Sequence, residues 1–231
     1  MEGKIPLLVA SQEFNDLNKL KKEFIVYSDS TYIFKEEYSE TNHNRAERWE
    51  GKLEINNNII KFIPFPLGYN GSETAVLKNG FVKFADGKYP DRMKIVQTSL
   101  SVKNNIDLEN FKDYSVFTFY NNHHNLTWKK EVSNYDINTN ELIKIDSVLK
   151  KEFETNKKLK KYNNYLKQIV AVKNSKNEIL ILTHFFCKNK SLTETYQYHE
   201  ISMMNGGNCN VYIELNLTTG KLISINIAGI A

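Results

Sequence analysis

Over short runs of this chain apolar residues recur at every second position, and asparagine, aspartate, serine or glycine breaks each run. That pattern limits the fold more than any motif does, because period-two alternation is the mark of a half-buried strand. Phe24 and Val26, then Tyr32 and Phe34, are spaced by two around Ser28-Asp29-Ser30. Trp49, Gly51, Leu53 and Ile55 continue the alternation, and Asn56-Asn57-Asn58 turns the chain into Ile59, Lys61 and Ile63. Residues 74–77 and 81–84 flank Lys78-Asn79-Gly80, whose Asn-Gly pair suits a type I′ hairpin because both central residues need positive φ. Asp86-Gly87 is a second turn candidate. The whole chain has 13 Tyr and 13 Phe, which suit a pleated core, and residues 1–104 read as a small antiparallel β barrel or sandwich.

Asn104-Asn105 is the expected domain boundary, and residues 105–231 read as an α+β domain. Residues 115–120 look like a strand and Asn121-Asn122-His123-His124-Asn125 like a loop. Leu142, Ile145, Leu149 and Phe153 then recur at helical spacing, predicting a helix over about 140–156, with Thr139 or Asn140 as its cap. Residues 166–173 and 178–187 flank the hairpin loop Asn174-Ser175-Lys176-Asn177, and the second is apolar on both faces, as a central strand would be. Residues 196–204 and 209–217 flank Asn205-Gly206-Gly207, and Ile223, Ile225 and Ile227 close the series. The expected fold is therefore α+β and β-rich, with one helix packed on a meander of four or five antiparallel strands.

The net charge of +4 sits in one place. Residues 141–167 hold eight lysines against four acids, while 23 basic residues face 23 acidic ones elsewhere. On the helix, lysines fall opposite the apolar face, so Lys150, Lys151, Lys157 and Lys158 form a candidate surface contact. Arginine is absent there and Glu152 and Glu154 interrupt the run, so a solvated face is expected and nucleic acid is not expected as a partner.

No catalytic constellation is legible. His123 and His124 are adjacent and chelate poorly on strand or helix. His184 and Cys187 fall on opposite parities, and Glu36-Glu37 likewise alternate across a strand. No phosphate-cradling glycine loop or nucleophile elbow is present. Cys187 and Cys209 could pair in an oxidising compartment, but two buried thiols are the expectation. No catalytic residue, cofactor or metal ligand is assigned, and no run of residues is apolar enough for a transmembrane segment.

Ile5-Pro6-Leu7-Leu8, Tyr27-Ser28-Asp29-Ser30-Thr31 and Asp86-Gly87-Lys88-Tyr89-Pro90 lie in a stretch that resembles uncharacterised small proteins and lipoproteins of the Bacteroidetes. So do Tyr165-Leu166-Lys167-Gln168, Phe186-Cys187 and Gly206-Gly207-Asn208-Cys209, with the closing Ile227-Ala228-Gly229-Ile230-Ala231. The resemblance implies no activity, ligand or functional residue.

The expected function is that of a non-enzymatic protein acting through surface contacts with another protein, in its most concrete form a bacterial immunity or inhibitor-type protein. The alternative is a cell-envelope ligand-binding or structural lipoprotein domain, its β domain enclosing a small apolar ligand. The expected location is cytoplasmic as written, or the cell envelope if a leader peptide precedes this sequence.

Overall fold

Along most of the strands of the first unit alternate side chains turn inward, and eight strands close around them. The computed structural model describes residues 4–14, 19–40, 43–84, 86–88, 91–120 and 132–229. It divides into two units, Met1–Asn104 and Asn105–Ala231. In the first, β1 (Pro6–Phe14), β2 (Lys19–Tyr27), β3 (Thr31–Glu40), β4 (His43–Asn56), β5 (Ile59–Ile63), β6 (Thr74–Lys78), β7 (Phe81–Phe84) and β8 (Asp91–Thr98) form a closed antiparallel barrel. Closure comes from β1, where Leu8 pairs with Thr98 and Ser11 with Lys94. The sequence shows this strand only as a short apolar patch.

The barrel is filled. Leu8, Phe24, Phe34, Leu53, Ile60, Leu77 and Phe84 are fully or almost fully buried inside it. The Phe24 ring meets that of Phe84 edge-on at 5.3 Å, and Phe62 meets Tyr32 at 5.1 Å. Asn79 and Gly80 have φ of 50° and 77°, as the type I′ hairpin requires. One parity differs from expectation. The inward residues of β5 are Ile60 and Phe62, while Ile59 is 45% exposed. Asn57 alone takes a positive φ in the preceding turn, and the pair Asn56–Ile59 closes it. That register sets every following side chain.

The second unit is a mixed sheet with one long helix. β9 (Tyr114–Phe117) runs parallel to β11 (Tyr165–Asn174), β10 (Val132–Asn134) pairs antiparallel with β11, and β12 (Ile179–Cys187), β13 (Asn210–Asn216) and β14 (Lys221–Ile227) follow as a meander. Helix α1 (Thr139–Thr155) begins one residue earlier than expected and is capped by Asn138, not by Thr139 or Asn140. Asn138 and Glu141 form a capping box, each taking the other's backbone N–H. Leu142, Ile145, Leu149 and Phe153 are buried against Tyr165, Ile169, Phe185 and Ile213. Each such side chain contributes about 1.5–3 kcal/mol of transfer free energy.

Three expectations are corrected here. Residues 196–204 form no strand; a short helix α2 (Lys190–Thr195), capped by Asn189, leads into an irregular stretch. Several of its backbone groups bond to side chains of the sheet. Gln168 Nε2 donates to Tyr196 O and His199 O while its Oε1 accepts from Ile201 N, and Asn210 Nδ2 donates to Met203 O and Asn205 O. Cys187 and Cys209 are not two buried thiols but a disulfide, both residues half-buried. On β14 the alternation is displaced: a register shift between Glu214 and Leu215 brings Leu222 and Ile225 to the core and leaves Ile223 51% exposed. The loop expected at residues 121–125, with His123 and His124, lies outside the described residues.

Candidate functional site

β4 is 14 residues long and its neighbour β5 only five. Their pairing runs from Lys52 to Asn56, whereas β3 pairs along β4 from Lys52 back to His43. β5 stops where Ile63 meets Pro64, which has no N–H to give. Backbone bonds of an antiparallel strand alternate in direction. Leu53 N donates to Ser30 O, so odd positions of β4 bond toward β3 and even ones point the other way. The backbone groups of Ala46, Arg48 and Glu50 therefore face a side that holds no strand, and they have no backbone partner among the described residues.

The loop that follows β5 flanks this open edge. Leu67, Asn70 and Ser72 are buried, with Leu67 N bonded to Ser72 O and Gly71 N to Leu67 O. Tyr69 stacks on Phe34 at 4.4 Å and meets Trp49 edge-on at 5.6 Å. Its hydroxyl donates to Asp91 Oδ2 at 3.0 Å, and Lys22 Nζ reaches both Tyr69 and Asp91 inside the barrel mouth. Gly68 is packed so tightly that a Cβ would stand 2.4 Å from Trp49 Cδ1. From this anchored loop, between Pro64 and Pro66, Phe65 stands 77% exposed.

Beside the edge lies a slot of about 590 Å³ lined by Trp49, Glu50, Gly51, Ile63, Phe65 and Gly68, among others. A second depression of about 560 Å³ shares Tyr32, Arg48, Glu50, Gly51 and Lys52 with it and extends to Lys4 and Tyr27. Gly51 gives its space to the Tyr32 ring, whose Cε1 would lie 3.0 Å from a Cβ there. Arg48 pairs with Glu50 at 2.9 Å and Lys4 with Asp29 at 2.8 Å. The hydrogen bond from Lys4, then that from Thr31, holds the Asp29 carboxyl down to about 2. The site offers unpaired backbone, one ring and mixed charge. Among the described residues that line it, backbone, rings and ion-paired side chains predominate.

The candidate lysines do not converge. Lys150 ties to Asp146 at 2.7 Å and Lys151 is exposed on α1. Lys157 and Lys158 lie past the helix end, in a turn begun where Asn156 closes α1. Lys150 does border a cluster that the sequence hides. Lys167 is 2% exposed on the helix side of β11, 4.3 Å from the Tyr162 ring centre and 5.0 Å from that of Tyr114. Its ammonium donates to Tyr165 O and lies 3.9 Å from Asp113. Tyr114 and Tyr162 touch each other through their hydroxyls, and both donate to Asp146 Oδ1. Burial lowers Lys167 to about 8 and raises both tyrosines. Lys167 is thus enclosed by Tyr114 and Tyr162, and it is these tyrosines that join the sheet side to Asp146 of α1. His184 stacks on Tyr212 and bonds Asn210 Oδ1 at 2.6 Å. Among the described residues no three His, Cys, Asp or Glu side chains gather to hold a metal ion.

Comparison with protein families, with curated proteins and with solved structures finds no match. The site thus rests on geometry alone. The one sequence signal that marks it is Pro64-Phe65-Pro66, an aromatic residue held between two prolines outside the alternation.

Proposed function

We propose that this protein is a non-enzymatic binding protein that takes an extended segment of another protein as an added strand along the open edge of β4. The observation that carries the reading is the row of unpaired backbone groups at Ala46, Arg48 and Glu50 beside Phe65. Main-chain hydrogen bonds to such an edge supply affinity, and adjoining pockets select side chains. A large ring held in place beforehand loses little freedom on binding. An inhibitor or immunity-type protein would act in this way. An enclosed apolar ligand finds no support in a barrel filled with its own rings.

The disulfide supports a second element of the reading, a location in an oxidising compartment such as the cell envelope.

The test is selection of extended peptides from a displayed library, followed by amide exchange on the complex. Protection should appear at Ala46, Arg48 and Glu50 and leave Glu47 and Trp49, already bonded toward β3, as they were. Phe65→Ala should weaken binding by about tenfold or more. Binders that leave the three even-numbered amides unprotected would overturn the reading.

A further inference from the structure

Of the lysines that follow α1, Lys160 is singled out by its surroundings: its Nζ lies 2.9 Å from Cys209 Sγ and 3.4 Å from Cys187 Sγ. A disulfide sulfur is a weak acceptor and gains little from a neighbouring cation, whereas a thiolate gains a great deal. Lys160 is thus placed to stabilise the product of opening the bond more than the bond itself. Both cysteines are only half-buried and Lys160 is exposed, so a small thiol has access. The Tyr165 hydroxyl fixes the geometry. It accepts from Lys160 N at 3.0 Å and donates to Asn208 O, next to Cys209.

The bond closes residues 188–208 into a strap that holds α2 and the irregular stretch after it. The strap keeps other ties, among them the bonds to Gln168 and Asn210 already described, that of the Tyr196 hydroxyl to Lys112 O and those of Gly206 N and Gly207 N to Gly229 O. His184 and Phe186 pack against each other on β12. Those ties do not depend on the disulfide, so the fold has the means to persist without it while the strap is held less firmly.

We propose that Cys187–Cys209 is a thiol-exchange site, with Lys160 as its positioning residue, and that opening it loosens the strap. A thiolate of an external dithiol attacks Cys187 Sγ. The new S–S bond forms as the Cys187–Cys209 bond breaks, and the electron pair leaves on Cys209 Sγ, the sulfur nearer Lys160. The second thiolate of the dithiol then displaces Cys187, so the reductant departs as a disulfide and its two protons pass to the protein thiols. This inference is independent of the β4 edge.

Dithiothreitol titration of the native protein tests it, with the free thiols counted by alkylation and mass. The parent should be half-reduced at a concentration about tenfold lower than Lys160→Gln, because the leaving thiolate loses its cation. Lys160→Arg, which restores a cation, should fall near the parent. The Ile201 amide should exchange faster in the reduced parent than in the oxidised one. Equal midpoints for the parent and Lys160→Gln, or reduction of the parent only in denaturant, would overturn the exchange site. An Arg variant that behaves like the Gln variant would remove the role of charge, and an unchanged Ile201 amide would remove the strap's release.

Discussion

Gly68 abuts the indole of Trp49, with no room between them for a methyl group. That contact holds the loop carrying Phe65 against the barrel. Gly68→Val should cost about 1–3 kcal/mol, since a side chain there forces loop and ring apart. Peptide affinity at the β4 edge should fall with it. Denaturant unfolding and a binding isotherm on the same sample check both, and a variant that keeps full stability would show the loop free to move.

Gly80 sits at φ of 77° with open space where a side chain would begin, so a substitution there meets backbone strain and no clash. Gly80→Val should lower stability by about 1–3 kcal/mol through that strain. Gly80→Asn, which tolerates positive φ, should lose much less. Melting temperatures of the pair measure the difference.

Lys167 gives a distinct response to alkaline pH. Burial brings its native value to about 8 against an ordinary 10.5, with Asp113 and Asp146 opposing the shift and Lys188 and Lys150 adding to it. Between these values the unfolded chain holds the proton and the native protein does not, so this contribution makes stability rise with pH from about 8 to 10. Above the ordinary tyrosine value of 10.0 the trend reverses, because Tyr114 and Tyr162 stay protonated when native and ionise when unfolded. Urea unfolding from pH 7 to 11 should show the rise in the parent and not in Lys167→Met.

His184 responds in acid. Burial brings it to about 4 from an ordinary 6.5, although the bond with Asn210 pulls the other way. The unfolded chain takes up its proton first, so stability is lost as pH falls from 6.5 toward 4, with a slope of at most about 1.4 kcal/mol per pH unit. The parent and His184→Gln should differ in slope across that window. Parallel stability curves would show that the histidine is not the group responsible.

The joint change of Lys150, Lys151, Lys157 and Lys158 to Gln should leave the fold intact. Of the four only Lys150 makes an ion pair among the described residues, with Asp146, and its side chain is 53% exposed. Such a pair is worth about 1 kcal/mol or less. Peptide affinity at β4 should stay unchanged, and a salt-sensitive loss of binding in the variant would restore those lysines as a contact surface.

By itself the sequence determined what local chemistry controls. Phe24, Phe34 and Leu53 reached the core by alternation, Asn79-Gly80 made its hairpin, and Leu142, Ile145, Leu149 and Phe153 formed one buried helix face. These outcomes depend on periods of two and 3.6 residues and on which residues accept positive φ. What only tertiary structure decided depends on partners far away in the chain. Pro6–Phe14 became the closing strand because β8 was there to pair with it. Residues 196–204 stayed irregular because Gln168 and Asn210 satisfied their backbone from the sheet. Cys187 met Cys209 across 22 positions, and Lys167 was enclosed because β9 and α1 folded over it. The open edge of β4 belongs to the same class, since a strand's spare hydrogen bonds are visible only once the length of its neighbour is known.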